Sequence, residues 1–265
     1  MSVRGHALSG IDQYQLSSGR TRVYVWEKPV RVAHWLIFTS LVVLSFTGYY
    51  MYNPFIISRS PTGFTMATTR FIHVTAGWVF VAGLLLRIYW FFRGNQWSRI
   101  NQFVPMSRAR WRDIRETGKY YSFLRWNPTA HLGHNAMAGA AYLAIYGLTV
   151  IEVITGLVLY NNIIHSSVLG FFVNWIDRWI DIQYLRETHF LVMYAFWVFF
   201  IHHLYSALLT SSEEKNGCME SIFTGYKFAS EADLRREFGD EAPYQAAAAT
   251  RVGAQPARPA TKTAD

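Results

Sequence analysis

The chain has a single cysteine, Cys218, among 265 residues. One thiol excludes an internal disulfide and any metal or iron-sulfur site built from this chain's cysteines alone, so a redox metal here must use other ligands. The N-terminal stretch MSVRGHALSGIDQYQLSSGR lacks an apolar signal core, and insertion into a membrane is expected to be directed by the first helix. Acidic residues are few, 17 against 25 Lys and Arg, a net charge of +8. That surplus is compatible with nucleic acid, but the cations sit where the loops of a membrane protein put them, and no nucleic-acid partner is expected. Charge of either sign is missing altogether between Arg31 and Arg59, and again between Glu187 and Glu213.

What is present is apolar and clustered. Hydrophobic residues make up 51% of the chain and aromatics 17%, yet the mean hydropathy is only slightly positive, because long charge-free runs alternate with basic connections. That alternation describes a polytopic membrane protein rather than a soluble core. Spans are expected from about Ala33 to Tyr52, Phe71 to Phe92, Asn135 to Tyr160 and within Arg186 to Leu209, each near the ~20 residues that cross the hydrocarbon. The first ends at Asn53-Pro54. Between the third and fourth lies SSVLGFFVNWIDRWIDIQYLRE, too short and too charged to span. Its Val168, Phe171, Phe172, Trp175, Trp179 and Ile180 recur at helical spacing opposite Asn174, Asp177, Arg178 and Asp181, which predicts an amphipathic helix on the membrane surface.

The cations set the orientation. Five Lys and Arg precede the first span, eight lie between the second and third, and seven follow the fourth; the two opposite loops hold two each. The positive-inside rule places both termini in the cytoplasm. The expected organisation is a cytoplasmic arm over residues 1–28, a four-helix transmembrane domain over 29–227 and a cytoplasmic tail over 228–265. The stretch from Ala246, rich in Ala, Pro and Thr, is expected to be disordered.

Histidines at membrane depth are costly and usually functional. At ~100° per residue, His189 and His203 fall within ~40° of one face of the fourth helix and ~21 Å apart along it, whereas His202 points ~140° away. One helix therefore offers an imidazole near each membrane surface. His73, in the first turn of a helix that starts outside, shares the depth of His189. His34, in the first turn of a helix that starts inside, is nearest in depth to His203. Two bis-histidine pairs result, as for two haems stacked across a bilayer, and two imidazoles leave iron no open coordination site, which favours electron transfer over oxygen chemistry. The bland alternative is that each histidine is a hydrogen-bonded core residue. Haem propionates are anionic: Arg70 and Arg186 suit the outer site, Arg31 and Arg87 the inner one, against ordinary interfacial anchoring. Arg87, near the inner end of the second helix, is expected to snorkel to the interface.

The first-helix stretch RVAHWLIFTSLVVLSFTG resembles the signature of the b-type cytochrome subunit of membrane-bound nickel-iron hydrogenases, in the larger group of dihaem cytochromes that includes formate dehydrogenase gamma subunits. The match is close at Arg31, His34, Trp35, Thr47 and Gly48. The fourth helix is similar to the second signature at Arg186, His189, Phe199 and His203, and departs from it at Phe190, where a basic residue is common, and at Tyr194, where Trp is expected. RFIHVTAGW, from Arg70 to Trp78, is also family-like, and the resemblance covers about Tyr24 to Lys227. It implies two haem b groups, a periplasmic hydrogenase of small and large subunits as electron donor, quinone as acceptor, and a place in the bacterial inner membrane. Its outer haem pairs His73 with His189 and its inner haem His34 with His203. Such a subunit is not itself catalytic toward hydrogen.

Other features are open. Glu152, about eight residues from the outer end of the third helix, is a candidate for proton relay or for bonding a haem or quinone, against a packed carboxyl group. His131 and His134, at the inner start of that helix, and His202 are candidates for a quinone pocket; His202 could equally face a neighbouring helix or lipid. The Trp175 and Trp179 region is the candidate docking surface for a periplasmic partner, against a plain membrane anchor. Thr47-Gly48 and Thr155-Gly156 each follow an apolar run and permit close helix approach. The expected fold is all-α, an integral-membrane four-helix bundle with a short periplasmic amphipathic helix. The rivals are a cytochrome subunit of another oxidoreductase, such as formate dehydrogenase, and a haem-free membrane transporter or anchor.

Overall fold

The computed structural model of the protein describes residues 11–15, 20–55, 63–100, 103–104, 108–121, 124, 136–230 and 233–234. In chain order the elements are β1 (Ile11–Gln15), β2 (Thr21–Tyr24), α1 (Lys28–Tyr52), α2 (Thr65–Arg93) and α3 (Arg108–Tyr121). There follow α4 (Ala136–Ile164), α5 (Ser167–Val173), α6 (Ile182–Glu214), α7 (Cys218–Thr224) and β3 (Tyr226–Ala229). The helices α1, α2, α4 and α6 are long and apolar enough to cross a membrane. Only 17–22% of their most apolar stretches is buried inside the protein, so most of that surface faces outward: Phe46, Phe71, Leu85, Val198 and Ile201 are all exposed. An apolar exterior of this extent is stable only against lipid.

Three of the four spans begin before the charge-free run does. Pro29 occupies the first turn of α1, where its fixed φ suits a helix and its missing N–H costs nothing, so the helix starts at Lys28. The helix α2 starts at Thr65, where the Thr69 hydroxyl bonds back to the Thr65 carbonyl at 2.9 Å. The Asp181 carboxylate accepts from Gln183 N at 2.8 Å and caps α6. At 33 residues, α6 is about 50 Å long, well beyond the ~30 Å of hydrocarbon. The basic connection also contains a helix, α3, that the charge pattern does not announce.

Packing divides the bundle into two helix pairs, α1 with α2 and α4 with α6, while α6 touches α1 only sparingly. Gly83 lets α1 approach α2: a Cβ there would stand 3.1 Å from Leu36 Cβ and 3.2 Å from Ile37 Cγ1. Arg87 does not snorkel as expected. Its side chain is buried at 3% exposure, donating from Nε to the Tyr142 hydroxyl at 2.8 Å and from Nη1 to the Ser98 carbonyl at 3.1 Å, with its guanidinium 4.4 Å over the Phe91 ring. A guanidinium with bonded partners and an aromatic face is stable inside, and here it ties α2 to α4.

At the end of the bundle where α1 begins and α6 ends, the protein adds a small antiparallel sheet, β1-β2-β3, to the expected helices. Val23 pairs with Lys227 and Tyr24 with Tyr226. Val23, Val25, Trp26, Val30, Trp97, Ala229 and Leu234 form one buried cluster beneath it, with Trp90 against the cluster. Gly225, at φ +90°, sits where a Cβ would lie 2.5 Å from Tyr24 Cε2, so only glycine permits the turn into β3. Glu27, just before α1, accepts from Trp90 Nε1 at 2.9 Å and Asn95 N at 2.7 Å, locking the start of α1 to the end of α2.

At the opposite end, the expected amphipathic helix is the seven-residue α5 followed by turns up to Trp179. Val168, Phe171, Phe172, Trp175 and Trp179 point away from the protein. Val173 and Ile176 pack on Val158 and Leu185 instead. The polar residues Asn174 and Asp177 face the end of α4, accepting from Asn161 Nδ2 at 2.8 Å and Asn162 Nδ2 at 3.1 Å.

Candidate functional site

The two helix pairs meet through histidines. The His73 ring on α2 and the His189 ring on α6 have centroids 6.3 Å apart, and those of His34 on α1 and His203 on α6 are 6.4 Å apart. His189 and His203 thus share the inward face of α6. His202 and His203 are both exposed, but among the described residues His202 meets no ring of another helix, its Nε2 lying 3.4 Å from the Ser206 hydroxyl.

These separations are too long for a hydrogen bond between rings and suit a metal between them. Two metal–nitrogen bonds of about 2 Å, with roughly 1 Å more from each nitrogen to its ring centre, add up to about 6 Å. Among the described residues no group of three or more His, Cys, Asp or Glu is placed to hold an ion. Each site therefore supplies two donors, and a metal held there must bring its remaining ligands with it. A porphyrin does so.

The pair formed by His73 and His189 is built twice over from one device. Thr47 Oγ1 on α1 lies 2.8 Å from His73 Nδ1, and Thr155 Oγ1 on α4 lies 3.0 Å from His189 Nδ1. Each hydroxyl directs its own proton at a carbonyl one turn back, Val43 at 2.7 Å and Ile151 at 2.8 Å. A hydroxyl has one proton and two lone pairs, so each threonine accepts from the imidazole. Both rings are thereby assigned the Nδ1–H tautomer, with the Nε2 lone pair left for a metal. The glycine after each threonine makes room: a Cβ at Gly48 would stand 3.3 Å from His73 Cε1, and one at Gly156 3.1 Å from His189 Cε1. The Thr-Gly recurrence is visible in the sequence as small residues at a helix contact; its service to the histidines requires the packing. Glu152 joins on one side only, with Oε1 3.3 Å from His189 Nδ1 and Oε2 without a partner.

The second pair is assembled differently. His34 Nδ1 is buried with no hydrogen-bond partner. The His203 ring stacks on Phe199, centroids 5.6 Å apart and planes within 7°, and His34 meets the edge of Trp35 at 5.4 Å. Arg31, one turn before His34, donates from Nη1 to the Phe223 carbonyl, while its Nε is buried and unpartnered.

The other arginines separate. Arg70 and Arg186 are exposed near the His73 end, with Arg186 Nη1 3.4 Å from Gln183 Oε1. Arg87, expected beside the inner pair, has its guanidinium engaged with Tyr142 and Ser98. Its inward face is taken up by aromatic rings, so the packing assigns it a structural place instead. His131 and His134 lie outside the described residues. Phe190, a departure from the family pattern, stacks on Tyr52 at 3.8 Å and 11°, closing α6 onto the end of α1.

Four lipid-facing spans with two imidazole pairs clasped between them define an integral-membrane bundle of the kind that carries a cofactor in its core. The comparisons say which kind. Residues 25–225 match the family described as prokaryotic cytochrome b561. The chain is 34% identical over 215 residues to the probable Ni/Fe-hydrogenase 1 B-type cytochrome subunit of Escherichia coli K12, covering 77% of this chain and 90% of that one. It is 30% identical over 233 residues to the probable Ni/Fe-hydrogenase B-type cytochrome subunit of Cupriavidus necator, covering 83% and 93%. To the Bradyrhizobium diazoefficiens subunit of the same description it is 33% identical over 214 residues, covering 78% and 86%. The protein belongs to the prokaryotic cytochrome b561 family, whose cofactor is haem b and whose chemistry is electron transfer in a membrane.

Proposed function

We propose that this protein anchors a periplasmic nickel-iron hydrogenase in the bacterial inner membrane and carries its electrons through two b haems to the quinone pool. The observation that carries this reading is the pair of histidine couples along one face of α6, with ring centroids 6.3 and 6.4 Å apart. The fourteen-position separation of His189 and His203 sets the couples about 21 Å apart along the helix, one toward each membrane surface. The similarity to subunits named for Ni/Fe hydrogenases supports the donor.

Bound haem b supplies a one-electron Fe(III)/Fe(II) couple at each pair of imidazoles. His73 and His189 would hold the outer group, and His34 and His203 the inner one. Arg70 and Arg186 offer their guanidiniums to carboxylates at the outer surface, and the buried Nε of Arg31 offers a donor at the inner one. Two imidazole donors at each site would suit a bound haem to electron transfer rather than to oxygen chemistry, and hydrogen oxidation would stay on the partner. Cation-rich arms place both termini in the cytoplasm. The outward aromatic side chains of α5 and the following turns, Trp175 and Trp179 above all, then lie on the periplasmic side, where the partner docks. Quinone accepts the electron on the inner side, with His131, His134 and His202 as the candidates the sequence offers for its pocket.

Hydrogen added to the purified complex under argon is expected to reduce two b haems, and an added quinone to reoxidise both. A complex whose visible spectrum does not respond to hydrogen contradicts the proposal. Co-purification with a formate dehydrogenase instead of a hydrogenase moves the protein to the other donor.

A further inference from the structure

The two histidine couples differ in what their Nδ1 atoms meet. In the couple of His73 and His189, threonine hydroxyls lie 2.8 and 3.0 Å from Nδ1, and each has already directed its proton at a backbone carbonyl. The same hydroxyls also lie 3.2 Å from the Leu44 carbonyl and 3.1 Å from the Glu152 carbonyl, three residues before each threonine. In the couple of His34 and His203, among the described residues, His34 Nδ1 has no acceptor and His203 makes only ring contacts.

An acceptor at Nδ1 pulls on the ring proton and makes Nε2 a stronger electron donor to a metal. A stronger donor stabilises ferric over ferrous iron and lowers the reduction potential. We infer that Thr47 and Thr155 are positioning residues that fix both outer imidazoles in the Nδ1–H tautomer and make the outer site the lower-potential site of the two. The inference rests on the two-haem reading above and adds a direction to it. With haem bound at both sites, that order would make transfer from the outer to the inner site downhill, one electron leaving the first and entering the second with no proton or further reactant. Among the described residues Thr47 is the lone side-chain acceptor at His73, whereas Thr155 shares His189 with Glu152 Oε1 at 3.3 Å. Loss of Thr47 should therefore weigh more than loss of Thr155.

The test is a potentiometric titration of the b haems in the purified complex, with ferric low-spin EPR on the same samples, for Thr47→Val, Thr155→Val and the two serine variants. His34→Ala, which should remove the inner group, identifies the remaining couple as the outer one. The expected result is that the lower couple is the outer one and rises in both valine variants, more in Thr47→Val. A tenfold loss of the ferric preference corresponds to about 59 mV for one electron. The EPR g values of the same site should change with it, and serine, which keeps the hydroxyl, should restore both readings. Valine variants that keep two haems and titrate as the native protein does overturn the inference, as does an outer couple lying above the inner. If a valine variant loses its outer haem, the serine variant decides: native potentials support the hydroxyl's role, and a second loss refutes it. A native complex with no haem at all refutes the electron-transfer reading itself, a different outcome from any of these.

Discussion

Arg87 and Tyr142 are joined by a 2.8 Å hydrogen bond from guanidinium Nε to phenol oxygen, and that bond decides what an intramembrane arginine does here. It ties α2 to α4 beneath the aromatic faces of Phe91 and Phe103, well away from any role as a surface anchor.

Arg87→Met is therefore expected to lower the stability of the detergent-solubilised protein by about 2–4 kcal/mol, since it removes two hydrogen bonds and a stacked cation from a buried position. Arg87→Lys should recover little, because an ammonium lacks the planar fork. Thermal melting monitored by circular dichroism measures this. An unchanged melting temperature with loss of one haem would return Arg87 to the role of a propionate partner.

The glycines divide by what they face. Gly156→Leu drives a side chain into His189, whose Cε1 lies 3.1 Å from the Cβ position, and should remove the outer haem while the inner one stays. Gly83→Ala presses on Leu36 and Ile37 instead, costing about 1–3 kcal/mol by overpacking with both haems retained. Haem content against melting temperature separates the two effects.

His202 and His203 are adjacent in the chain but occupy different faces of α6. His203→Ala should abolish the inner haem, whereas His202→Ala should leave both in place, as read by haem content of the purified variants. The reverse result would put the wrong face of α6 toward the cofactor.

Trp26 carries the sheet end of the molecule. Its ring lies in the buried cluster with Val23 and Trp97, and its Nε1 donates to the Ser221 hydroxyl at 3.1 Å, joining residues 195 apart in the chain. Trp26→Ala should cost about 3–5 kcal/mol, read as a lower melting temperature with both haems still bound.

How far the sequence alone reaches depends on the feature. Apolar runs with at most one charge, Arg87 in the second span and Glu152 in the third, locate all four spans, because burying charge in lipid is costly. The helix ends are less readable: Lys28 and the polar turn from Thr65 to Arg70 lie inside helices that charge patterning cuts short. Which histidines meet follows from depth and helix face, both set by helical geometry. The sheet is invisible, since TRVY and YKFA are four residues each, too short for alternation to register, and their pairing joins the two ends of the chain. The inward course of Arg87 depends on Tyr142, which lies on another helix, and the acceptor role of Thr47 and Thr155 on the same kind of distant partner. Depth can be read from one helix, but partnership requires two.

The most direct test of the account is the haem b content per chain in the purified native complex, compared with the His73→Ala and His34→Ala variants. The expected values are two for the native protein and one for each variant, with different potentials for the group that remains. A native content of one or none, or a variant that keeps both groups, would contradict the assignment of two imidazole couples to two haems.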